Sequence, residues 1–158
     1  MSGGGLRFAG HPLHAALVHF PMGLLPASLG ADLLLLAGVE GAWGPVAYWT
    51  LAAGLAAGFA AAVAGLLDLL ALRPGHPASQ TAVGHLAAAA TALTLFLGSL
   101  LVREGPDARP GAWALVLSGV GAVALLAGGW LGGHLVYRYG VGTAPEAPPF
   151  NPDRDAPT

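Results

Sequence analysis

The segment His11-Pro-Leu-His14-Ala-Ala-Leu-Val-His19-Phe-Pro21 opens an apolar run that continues to about Ala37. Crossing a hydrocarbon core takes roughly 20 residues, so residues 13–37 suffice even with Pro21 and Pro26 inside. A cleaved signal peptide fits poorly: its apolar region would be about 7–15 residues, and only Arg7 lies ahead of this one. Three similar runs follow, at residues 46–72, 79–102 and 112–139. Between them stand Gly38-Val-Glu40-Gly-Ala-Trp43-Gly-Pro45, Arg73-Pro-Gly-His76-Pro77 and Arg103-Glu-Gly-Pro-Asp-Ala-Arg-Pro110, all rich in helix-breaking Gly and Pro. Ser79 is placed to cap the third run. Residues 1–10 read as a flexible lead, residues 11–140 as one membrane domain, and residues 141–158 as a disordered Pro-, Gly- and acid-rich tail.

Composition agrees with that outline. The 158 residues are 55% hydrophobic and only 9% charged, whereas a soluble domain carries about 25% charged residues. Such a chain cannot cover itself with polar surface in water. Short connections between spanning helices force antiparallel neighbours. The expected fold is therefore all-α, an integral membrane up-down-up-down four-helix bundle in a lipid bilayer. The net charge is −2, there is no lysine and the arginines are scattered, so no basic face for nucleic acid exists. The lack of cysteine removes disulfides, thiolate metal sites and cysteine nucleophiles. No internal repeat stands out, and small-xxx-small spacings such as Gly54/Gly58 and Gly128/Gly132 arise readily among 25 glycines.

Alternating helix direction sorts the polar residues by side. On the N-terminal side, side A, fall Arg7, Arg73, Arg138 and Arg154, against Arg103 and Arg109 on side B, which points to a cytoplasmic side A. All six histidines belong to the side A half. Depth alone groups His19, Asp68, His85 and His134, one from each helix, roughly 6–10 Å inside the helix ends at ~1.5 Å of rise per residue. An ionisable group inside a membrane is costly and so marks a candidate functional site. On side B only Asp32 is notable, and it reads as an end-of-helix residue reaching the interface.

Several motifs resemble one bacterial family. They are His11-Pro-Leu-His14-xxx-Val18-His19-Phe-Pro21-Met-Gly23-Leu, Gly65-Leu-Leu-Asp68, Gly84-His85, and Gly132-Gly133-His134-Leu-Val-Tyr137-Arg-Tyr-Gly140-Val-Gly142. In order and at matching helix ends, they resemble the "domain of unknown function 2231" membrane family over roughly residues 10–142. The resemblance implies a four-helix, multi-pass protein of the bacterial inner membrane. Some members are joined to Rieske-type iron–sulfur domains, which implies a redox partner. In the family the position of His134 varies.

Three functions compete. A b-type haem in membrane electron transfer would take His19 and His85 as axial ligands on the diagonal of the bundle, with His134 nearby. A Zn, Cu or Fe ion, bound or transported, would draw on His14, His19, Asp68, His85 and His134. A structural membrane subunit would use the histidines only to lock helices together, with no cofactor. No phosphate loop, His-Glu-x-x-His helix or nucleophile elbow is present, so independent catalytic activity is not expected.

Overall fold

In lipid, an apolar run can satisfy its backbone only within itself, so each of the four runs is driven to helix. The computed structural model describes residues 6–72 and 74–142. In it α1 (Leu13–Leu36), α2 (Trp43–Leu70), α3 (Ser79–Leu101) and α4 (Ala112–Tyr139) coincide with the four runs. All four are long and apolar enough to span a membrane. This is an all-α membrane bundle. Pro45 falls in the first turn of α2, where a missing N–H costs nothing. α1 continues unbroken through Pro21 and Pro26.

The helices pair as two hairpins, α1 on α2 and α3 on α4, which then pack against each other mainly through α2 and α3. Glycine permits the close approach within each hairpin. A Cβ at Gly54 would lie 2.8 Å from Leu25 Cδ2, and one at Gly121 would lie 3.1 Å from Phe96 Cδ2. The middle of the bundle is an apolar plug of Leu25, Leu51, Leu55, Ala92, Leu93, Phe96 and Leu125. Side chains such as Phe59, Val63, Leu126 and Trp130 face outward, as an apolar exterior in lipid requires.

Two local expectations are corrected. Residues 6–10, read as part of a loose lead, enter a small hairpin in which β1 (Arg7–Phe8) pairs antiparallel with β2 (His11–Pro12). Ala9 and Gly10 make its turn at positive φ. This hairpin satisfies the start of α1, because Leu13 N donates to Leu6 O at 2.9 Å. Ser79 makes no cap hydrogen bond. Its place is taken by His76, whose Nδ1 accepts from Ala78 N at 3.1 Å and whose carbonyl accepts from Ser79 N. At the far end, Gly140 closes α4 at φ 63°, with Val141 N bonded to Leu135 O. Residues 1–5, Arg73 and residues 143–158, which hold all of the tail expected to be disordered except Val141 and Gly142, lie outside the described residues.

Candidate functional site

Helical phase, more than depth, selects which histidines meet. Successive residues turn by about 100°, so His14 and His19 point about 140° apart and cannot share a face. His14 shares its stripe with Pro21, Leu25, Ser28 and Asp32, all buried. His19 is exposed on the outside of α1, its Nδ1 3.4 Å from Ala16 O of its own helix. The expected His19–His85 pair therefore does not form.

The pair that forms is His14 with His85. Their ring centroids lie 6.0 Å apart at an interplanar angle of 83°. Each ring is tied back to its own hairpin. His14 Nδ1 donates to Ala61 O and His85 Nδ1 donates to Gly128 O, both at 2.8 Å. A carbonyl oxygen can only accept, so each Nδ1 carries a proton, and in the neutral form of each ring Nε2 is the nitrogen that keeps the lone pair. No hydrogen bond to either Nε2 is present among the described residues. Glycine makes the berths: a Cβ at Gly65 would lie 2.8 Å from His14 Cε1, and one at Gly132 would lie 3.1 Å from His85 Cε1.

The other candidates stay apart from this pair. Asp68 Oδ1 accepts from Leu6 N at 2.8 Å and so anchors the N-terminal hairpin. His134 packs edge-on against Tyr139, with centroids 6.1 Å apart. His11 is exposed, its Nδ1 3.0 Å from Ala9 O. The four-residue layer of His19, Asp68, His85 and His134 thus resolves into separate contacts. Among the described residues no group of three or more His, Asp or Glu side chains is close enough to hold a metal ion.

Side B holds what the sequence reading missed. Asp32 does not reach the interface; it is fully buried and forms a two-pronged ion pair with Arg103, Oδ1 to Nη1 at 2.9 Å and Oδ2 to Nη2 at 2.5 Å. The Arg103 side chain is only 5% exposed. Ser99 Oγ donates to Ala114 O and receives Ser118 Oγ, each at 2.8 Å, and Arg103 Nη2 reaches Ser99 Oγ at 3.5 Å. Ser28 Oγ and Arg103 Nε are buried without a hydrogen-bond partner among the described residues. α1 and α3 both run from side A to side B, so the last turn of one lies level with the end of the other. A lone Asp and an Arg at those two ends were the available signal.

A family model described as "Predicted membrane protein (DUF2231)" matches residues 10–145. The chain belongs to that family. No curated protein and no solved structure matches it. The family's description places this DUF2231 protein in a membrane, in agreement with its four apolar helices.

Proposed function

We propose that this membrane protein binds a transition-metal ion between His14 and His85. The observation that carries the reading is the orientation of two adjoining rings: backbone carbonyls accept from both Nδ1–H groups, so the neutral form of each ring presents Nε2 as its ligand atom. Metal-ligating histidines commonly donate their second ring nitrogen in this way, which orients the ring and raises its basicity. Imidazole suits Zn, Cu, Fe and Ni, and two histidines leave positions for water or an exchangeable ligand. The remaining depth of the bundle is the apolar plug around Phe96 and Leu25, which favours a binding site over a transport pathway. A haem is the alternative occupant of the same imidazole pair, and it would carry the link to electron transfer and a Rieske-type partner.

The test is elemental analysis, an absorption spectrum and metal titration on detergent-purified protein carrying a tag free of histidine. The expected result is one ion per chain, lost in His14→Ala and in His85→Ala and kept in His19→Ala. A Soret band that both pair variants abolish would replace the ion with haem. Stoichiometric metal in both pair variants overturns the site. We place the protein in the bacterial cell membrane with side A cytoplasmic. Burial of Arg103 in the ion pair leaves Arg109 as the exposed arginine of side B, against Arg7 and Arg138 on side A.

A further inference from the structure

Two polar contacts across the bundle join positions in one constant register. His14 meets His85 and Asp32 meets Arg103, each 71 residues on. Between them, Pro21, Leu25 and Ser28 on the buried stripe of α1 correspond in the same register to Ala92, Phe96 and Ser99, all buried on α3. The partner helices show a second constant register of 67 residues. His14 bonds Ala61 O where His85 bonds Gly128 O, at the same length. Gly65 berths His14 where Gly132 berths His85, and Gly54 receives Leu25 where Gly121 receives Phe96. Ala47 and Ala114, both fully buried, complete the series. The register falls from 71 to 67 because Asp32 to Ala47 is four residues longer than Arg103 to Ala114.

Random resemblance between apolar helices would not reproduce the same contacts made by the same positions. We infer that the chain is a duplicated helical hairpin, its halves related by an approximate twofold axis along the membrane normal. We infer also that Asp32–Arg103, on that axis, makes the first hairpin select the second over another copy of itself. Parallel repeats about such an axis are a recurring plan in membrane proteins. An axis brings each position against its own counterpart. Identical residues serve where like can meet like, as with the two imidazole rings. At the buried side B end, two Asp32 or two Arg103 side chains would leave like charges desolvated together, so opposite charges enforce the one pairing. The inference stands whether or not the imidazoles hold an ion.

Symmetry makes a demand that an ordinary buried ion pair does not. If positions 32 and 103 are equivalent about an axis, exchanging their residues leaves the geometry unchanged. In the full chain, Asp32→Arg alone and Arg103→Asp alone should each lose most of the folded, monodisperse protein. The double variant Asp32→Arg/Arg103→Asp should recover the parent's yield and unfolding midpoint. A double variant no better than the worse single overturns the inference. Should no charge variant be recovered at all, a permutant decides. It begins at α3, ends after α2, and joins α4 to α1 by a connector as long as residues 71–78. Its recovery with the parent's unfolding midpoint supports the duplication, and failure to fold overturns it.

Discussion

The two ends of the α1–α3 diagonal are both closed by polar side chains, yet they are built in opposite ways. At side B, Asp32 and Arg103 are buried and spend their charges on each other, with Ser99 and Ser118 continuing the network. At side A, His14 and His85 are half-buried, and among the described residues each is hydrogen-bonded through Nδ1 alone. Two charges engaged with each other have little left to offer a ligand, and removal of either one strands its partner. Two imidazoles with free Nε2 atoms have the reverse character, giving modest structural support and open ligand positions. One end thus holds the hairpins together, and the other is the end at which we propose that an ion binds.

The largest effect that would break this contrast is expected from Asp32→Ala. It leaves the Arg103 guanidinium buried and unpaired, which should cost about 3–5 kcal/mol in reversible unfolding in detergent. The joint change of Asp32 and Arg103 to leucine should cost far less, because no charge is then stranded. A small penalty for Asp32→Ala alone would remove the structural role assigned to side B.

At side A the effects should appear first in ligand binding. Gly65→Ala would press a methyl group against His14 Cε1 and lift the ring off Ala61 O. Loss of such an outer hydrogen bond should weaken metal affinity about 10–100-fold, read by competition titration. Acidification should release the ion as well, since each Nε2 must be free of its proton to bind; affinity that rises as pH falls would contradict the imidazole site.

Smaller still is the expected stability cost of His14→Ala, about 0.5–1.5 kcal/mol for one net hydrogen bond, measured on metal-free protein. A cost matching that of Asp32→Ala would mean that the two ends are alike after all. Asp68→Ala should change global stability by about 1 kcal/mol or less while speeding amide exchange at Leu6, whose N–H it holds. Unchanged exchange there would show that the N-terminal hairpin is held by other contacts.

Composition and run length were enough to read the four spans, and the helices coincide with them to within three residues at every end. The same properties hid the site. Helices that are apolar all round give weak evidence of which face is inward, so depth alone chose His19 beside His85. Yet His14, Pro21, Leu25, Ser28 and Asp32 do repeat at helical spacing, and only the packing marks that stripe as the buried one. Asp68 lies level with the histidines, so depth groups it with them. Its partner is a backbone N–H from the hairpin at Leu6, which no spacing rule anticipates.

What the sequence determined by itself was the membrane, the four helices and their alternating direction, because backbone hydrogen bonding in lipid permits little else. Tertiary structure alone decided which helix faces meet, because rotation about each axis is set by side-chain packing and not by hydropathy. From that rotation follow the His14–His85 pair, the buried Asp32–Arg103 pair and the shared register of the two hairpins.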